Sequence, residues 1–261
     1  MEIQQKVVVI TGASEGIGAA CVNEFRKRGA RASITARSKE KLERLAATDC
    51  LITAGDLTDA ATQQRVIQST LDRFGRIDIL INNAGVGLYA PTAQARVTDV
   101  RALFELNLFA PLSMIQLVTP HMRKQGGGTI VNVGSIAGKL TLPWLTLYSA
   151  SKYALGSLGD GLRMELKQDG INVLTVCPGY VQTGFQANAL GGKAPESIVR
   201  SRRFAITAEQ CAEAIAGGVE RNARTIVTPR SGWLFIGLAR LFPSIVDAQL
   251  AKIYSTPPVA R

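Results

Sequence analysis

The segment Thr11-Gly12-Ala13-Ser14-Glu15-Gly16-Ile17-Gly18 sits between a β-branched apolar run at residues 6–10 and a helical pattern at 17–28. Few chains can carry this arrangement without building one particular kind of site. A strand feeding a glycine turn and then a helix lets backbone N–H groups and a helix N-terminus converge on one point, where a pyrophosphate is well held. A glycine turn needed only for tight packing is the competing reading. Gly12, Ser14, Gly16, Ile17 and Gly18 are therefore candidate cofactor-binding residues.

The rest of the chain repeats the same alternation. Short apolar runs at 6–10, 31–35, 50–54, 77–81, 129–133, 171–176 and 225–227 read as seven strands, and patterns near 17–28, 39–47, 59–73, 98–124, 149–168 and 208–221 read as helices. That order predicts an α/β fold: a Rossmann-type doubly wound parallel sheet of about seven strands with helices on both faces. No repeat, low-complexity tract or linker divides the 261 residues, so a single dinucleotide-binding domain over 1–261 is expected. Residues 184–205 are loop-like and predicted to form a substrate lid. Residues 231–261 form an apolar C-terminal extension, predicted to be helical and broken by Pro243. It reads as packing against the core or a subunit contact, with a pocket wall or peripheral membrane contact as sharper alternatives.

Composition narrows the function classes. The formal charge is +10, but the basic residues are scattered and only Arg200, Arg202 and Arg203 cluster, with no nucleic-acid motif beside them. No nucleic-acid partner is expected. Cys21, Cys50, Cys177 and Cys211 form no CxxC pair and no metal-ligand set, and the N-terminus shows no export signal. A reducing, cytoplasmic location without a metal is expected. The longest uncharged stretch, 170–192, is interrupted by Pro178, Gly179 and several amides and reads as strand and loop, so no transmembrane span is expected.

Strand ends supply the other candidates. At the end of the second strand, Arg37-Ser38 offers a guanidinium fork and no carboxylate, which favours a ribose 2′-phosphate and hence NADP(H) over NAD(H). Arg37 as a merely solvated residue, with Ser38 capping a helix, is the alternative. Asp56-Leu57 follows the third strand and Asn83-Ala84-Gly85 the fourth, both where carboxyl ends of parallel strands face a ligand crevice. Tyr148 and Lys152, four apart on a helical pattern, share one face, and Ser135 stands at the end of the fifth strand. A neighbouring ammonium and a positive nicotinamide are expected to draw the phenol down from its usual value of about 10, making it a usable acid or base.

Taken in order, Gly12/Gly16/Gly18, Asn83-Ala84-Gly85, Asn107, Ser135, Tyr148/Lys152 and Pro178-Gly179 resemble the short-chain dehydrogenase/reductase family over residues 6 to about 230. The resemblance implies hydride transfer between a nicotinamide and a carbonyl or secondary alcohol, with Tyr148 handling the proton, Ser135 polarising the oxygen, and Lys152 tuning Tyr148 and anchoring the ribose. It further implies that Asn107 steadies a relay water, that Asp56 meets the adenine, and that Pro178, Gly179, Val181 and Thr183 line the nicotinamide. Assembly as a homodimer or homotetramer through the helices near 98–124 and 149–168 is implied too. One departure is Glu15, where family members using NADP(H) often carry a basic residue. Leu142, Trp144, Leu145, Tyr180, Phe185 and Leu190 suggest a pocket for apolar or bulky carbonyls, and the direction expected is ketone or aldehyde reduction. Two rivals stand beside this reading. Ser149-x-x-Lys152 matches a hydrolase nucleophile pattern but lacks its companion motifs, and the lone His121 has no triad context. The other is a catalytically silent cofactor-sensing or scaffold protein on the same fold.

Overall fold

In a computed structural model of the chain, residues 1–46, 50–192 and 205–253 are described. Among the described residues, nine strands and nine α-helices follow in this order: β1 (Val7–Thr11), α1 (Gly16–Lys27), β2 (Arg31–Ala36), α2 (Lys39–Leu45), β3 (Leu51–Ala54), α3 (Ala60–Phe74), β4 (Ile79–Asn82) and β5 (Leu88–Tyr89). Then come α4 (Val97–Phe104), α5 (Ala110–Lys124), β6 (Gly128–Val133), α6 (Thr146–Glu165), β7 (Ile171–Pro178) and β8 (Leu190–Gly191). The described chain closes with α7 (Ala208–Glu220), β9 (Thr225–Thr228), α8 (Gly232–Leu241) and α9 (Pro243–Ile253). Seven strands form one parallel sheet in the order β3-β2-β1-β4-β6-β7-β9. The predicted doubly wound sheet is thus present.

Alternating side chains on each strand build two cores. On one face Val8, Ile10, Ile34, Ile81 and Val131 pack with Cys21, Val22 and Phe25 of α1 and with Ile215 and Val219 of α7. On the other, Val9, Leu80, Ile130 and Val173 meet Val66 and Ile67 of α3 and Met114, Val118 and Met122 of α5. The chain leaves β1 towards β2 and β3, then returns to place β4 on the opposite side of β1. That reversal opens a crevice at the carboxyl ends of β1 and β4, where Gly12 and Asn83-Ala84-Gly85 stand.

Several elements depart from the sequence expectation. β4 begins two residues later than predicted, because the carboxylate of Asp78 accepts from the Val7 amide (2.9 Å) and pairs with Arg76 (2.7 Å) at the strand mouth. The helix expected over 98–124 is split by a π-helical turn at Glu105–Phe109, which rotates Asn107 inward. A short parallel pair, β5 with β8, was not foreseen; two residues per strand leave no periodicity to read. By length and mean hydropathy, Val97–Lys124 would cross a bilayer, but Met114, Ile115, Val118 and Met122 are fully or nearly buried against the sheet. It is a core helix. The tail forms two helices bent by 115° at Phe242, immediately before Pro243.

Candidate active site

A cleft of about 1370 Å³ runs along the carboxyl edge of the sheet, from the end of β2 past β1, β4 and β6 to the start of α8. Gly12 and Gly16 adopt positive φ (63° and 57°), so the loop turns sharply beneath α1. Glu15, at the N-cap of α1, makes no side-chain capping bond, so the first N–H groups of that helix face the cleft uncapped. The Thr11 hydroxyl donates to the Ile81 carbonyl (3.2 Å) and accepts from the Asn83 and Ala84 amides (3.0 and 3.1 Å). Asn83 Nδ2 donates back to the Thr11 and Gly12 carbonyls (2.9 and 3.0 Å). The glycine loop and the Asn-Ala-Gly turn are therefore one rigid wall, and its bare backbone fits a dinucleotide pyrophosphate.

Ser14, Ile17, Arg37, Ser38, Asp56, Leu57, Ala84 and Gly85 line the same cleft. Gly18 does not. A Cβ there would lie 2.2 Å from the Gly12 carbonyl oxygen and 2.6 Å from Asn83 Nδ2, so its role is close packing under the loop. Gly18→Ala is accordingly expected to displace the loop, cost about 1–3 kcal/mol in stability, and abolish measurable cofactor binding; a thermal melt and a cofactor fluorescence titration check both parts.

Arg37 is exposed at the cleft wall and has no ion-pair partner among the described residues. Ser38 caps α2, accepting from the Lys41 amide (3.4 Å). Asp56 is exposed, and its Oδ1 accepts from the amide and hydroxyl of Thr58 (2.9 and 2.8 Å). Sequence reasoning missed Lys41, which reaches the cleft and pairs with Glu15 (2.7 Å), while the other Glu15 oxygen accepts from Asn188 Nδ2 (2.7 Å). Within Lys39-Glu40-Lys41 it reads as part of a solvated helix face, and only the tertiary fold singles it out.

At the other end, Tyr148 lies in the first turn of α6, which starts earlier than expected, and its ring stacks obliquely on Phe185 (5.7 Å, 60°). Ser135 caps the turn after β6, accepting from the Ala137 amide (3.1 Å), and its hydroxyl is hydrogen-bonded to Tyr148. Lys152 donates to the Val133 carbonyl (3.0 Å), with Nζ 5.9 Å from the Tyr148 ring centroid. The expected lowering of the Tyr148 phenol is not found in the protein alone. Burial pushes it up to about 12 against the opposing Ser135 hydrogen bond, and burial lowers Lys152 to about 8. Tyr148 is therefore neutral and able to donate at ordinary pH.

Asn107 is fully buried and does not line the cleft. Its Oδ1 accepts from the Val86 amide (2.9 Å), and its Nδ2 donates to the Val86 carbonyl (2.9 Å) and to Ser151 Oγ (3.1 Å). It supports the site from behind, next to Gly85, where a Cβ would sit 3.1 Å from Asn107 Oδ1 and 3.4 Å from Lys152 Nζ. Pro178, Gly179, Val181 and Thr183 line the cleft after β7, with Thr183 packed against Gly16.

Leu142, Leu145, Tyr180, Phe185 and Leu190 make the apolar end; Trp144 packs beside them without facing the cleft. Phe235, Leu238, Val246 and Leu250 from α8 and α9 complete it, so the tail is in part a pocket wall. Of the predicted lid, residues 184–192 are a 3-10 turn followed by β8; residues 193–204, including the arginine cluster, lie outside the described residues, as do 254–261.

Residues 6–193 match the family model for short chain dehydrogenases. A zebrafish (Danio rerio) protein named dehydrogenase/reductase SDR family member 7B is 34% identical over 220 residues, covering 79% of this chain and 71% of that one. Among solved structures, a Burkholderia phymatum short chain dehydrogenase/reductase in complex with NAD superposes with a TM-score of 0.85 at 24% identity, over the full length of both chains. A Sphingobium yanoikuyae short-chain dehydrogenase in complex with NADPH superposes at 0.78 with 29% identity, covering 93% of this chain and 96% of that one.

Proposed function

Because the chain belongs to the short-chain dehydrogenase family and is a nicotinamide-dependent oxidoreductase, we propose that it is an NADP(H)-dependent reductase of apolar or bulky ketones and aldehydes. The observation that carries this reading is the single cleft that joins a glycine cradle, a cationic wall and the Ser135–Tyr148 pair to an apolar chamber. When bound, the nicotinamide supplies the hydride for reduction or accepts it in the reverse direction. Every other task falls to residues of the chain.

The uncapped start of α1 and the bare loop at Gly12 and Gly16 hold the pyrophosphate. Arg37, with Ser38 beside it, holds the 2′-phosphate, and no carboxylate at the end of β2 opposes that charge. Lys41 adds a second cation nearby, offset by Glu15. Asp56 and Leu57 bound the adenine, and Asn83, Ala84, Gly85, Pro178, Gly179, Val181 and Thr183 line the nicotinamide half. Ser135 donates to the carbonyl oxygen as negative charge develops there, and neutral Tyr148 delivers the proton that makes the alcohol. Lys152 anchors the ribose and, as an ammonium, favours the phenolate left behind. Asn107 positions Lys152 through the Gly85 turn.

Exposed Val97 and Phe109 around α4 and α5, and Tyr153 on α6, support assembly as a homodimer or homotetramer through those helices. Four cysteines without a disulfide support a reducing, cytoplasmic setting. Steady-state oxidation of NADPH in the presence of a series of aryl and cyclic ketones tests the proposal. Turnover that rises with ketone size and apolarity is the expected outcome. Cofactor binding with no turnover of any carbonyl would instead leave the silent-scaffold reading standing.

A further inference from the structure

Seven of the eleven large hydrophobic residues exposed among the described residues lie on α8, α9 and the bend between them. Trp233, Leu234, Phe235, Leu238 and Leu241 of α8 are between 40% and 74% exposed, as are Phe242 and Ile245 at the bend. On α8 only Gly232 and Ile236 are buried, and Arg240 is the sole charged side chain. At 100° per residue, Phe235 and Leu238 turn to the cleft while Leu234 and Leu241 point roughly opposite the buried face. A helix apolar on nearly all sides belongs in a core or against lipid, and this one is open to solvent.

We propose that α8, the bend at Phe242 and α9 form a docking surface for an anionic bilayer. Charge separates this occupant from the alternatives. Arg230, Arg240 and Lys252 flank the apolar residues, all three exposed; Asp247 is the only acid on the two helices, and the whole chain carries +10. That pairing of Trp, Phe and Leu with basic residues suits an interface with acidic headgroups. Helices of 10 and 11 residues bent by 115° are too short to span a bilayer and shaped to lie in its surface. The cleft gives a second argument. Phe235 and Leu238 are at once exposed and part of its wall, so the apolar mouth opens through the same face. A second protein seated there would cover that mouth, whereas a bilayer leaves it facing an apolar reservoir.

The docking does not depend on the reductase chemistry, and its test reads no turnover. The purified full chain is floated with mixed phosphatidylcholine–phosphatidylglycerol vesicles and with phosphatidylcholine vesicles alone, beside Leu234→Glu/Leu241→Glu and, as a control on another exposed apolar site, Met164→Glu. The wild type and Met164→Glu are expected to float with the anionic vesicles, less so at high salt, and the double variant to partition at least about tenfold less. An unchanged NADPH titration keeps misfolding out of the comparison, since neither leucine lines the cleft. Wild type that stays unbound, or a double variant that floats equally well, overturns the proposal. So does sedimentation without lipid in which the wild type self-associates and the double variant does not, because the face is then a contact between copies.

Discussion

Tyr148→Phe is expected to lower kcat for ketone reduction by about 10²- to 10⁴-fold, the usual worth of a positioned general acid, while NADPH affinity changes by no more than a few-fold. The separation follows from where the hydroxyl sits. Tyr148 is only 7% exposed and its ring rests on Phe185, a contact that phenylalanine keeps. What is lost is the proton donor and its hydrogen bond to Ser135. With the phenol pushed up to about 12, the acid form persists across the physiological range, so Tyr148 does not itself limit reduction from the alkaline side. Lys152 does. Burial brings its ammonium down to about 8, so the charged form prevails below that pH and is lost above it. For the free enzyme, kcat/KM should therefore fall as pH rises through about 8, and Lys152→Met should be slow with that inflection gone. A Tyr148→Phe enzyme within tenfold of wild-type kcat would mean that another group delivers the proton.

How far this site could be read from the sequence depends on whether neighbours in the chain are neighbours in space. The sheet was legible because β-branched runs such as Val7–Thr11 and Ile171–Pro178 are buried on both faces and carry no alternation to confuse with a helix. Tyr148 and Lys152 were legible because four residues make one helical turn. The residues that escaped are those whose meaning is tertiary. Lys41 belongs to a charged helix face until Glu15, 26 residues away in the chain, pairs with it and is itself held by Asn188. The phenol of Tyr148 was expected to be lowered by its lysine together with a positive nicotinamide; in the protein alone Lys152 donates to the Val133 carbonyl, and desolvation of the phenol decides the sign. Asn107 needed a partner, and the sequence offered no way to find Val86 and Ser151, because the π-helical turn that aims the carboxamide has no local signature. The apolar tail read first as packing or a subunit contact, with a pocket wall as one alternative, and it is the wall that Leu238 and Leu250 bear out, since the chain turns at Pro243 and brings α9 beside α8.

Arg37→Asp is the second substitution with a large expected effect, and it acts on affinity where Tyr148→Phe acts on rate. Arg37 lines the cleft with no ion pair among the described residues, so its charge is free for a ligand phosphate. Hydrogen bonds to charged groups contribute about 1.5–3 kcal/mol, which converts to roughly 10- to 100-fold in Kd. Placing a carboxylate there adds repulsion of a 2′-phosphate and supplies an acceptor for an unmodified ribose hydroxyl. NADPH binding should weaken by about 100-fold while NADH binding tightens a few-fold, so that the order of preference reverses. Lys41 allows a finer comparison, because Glu15 already holds its ammonium at 2.7 Å. Lys41→Ala should cost NADPH less than Arg37→Asp does, and Glu15→Gln, by releasing Lys41, should tighten NADPH with little effect on NADH. Fluorescence titrations of both cofactors with the wild type and the three variants read all of this from one set of curves. Equal wild-type affinity for NADH and NADPH, unmoved by Arg37→Asp, would remove the phosphate from the role assigned to this corner of the cleft.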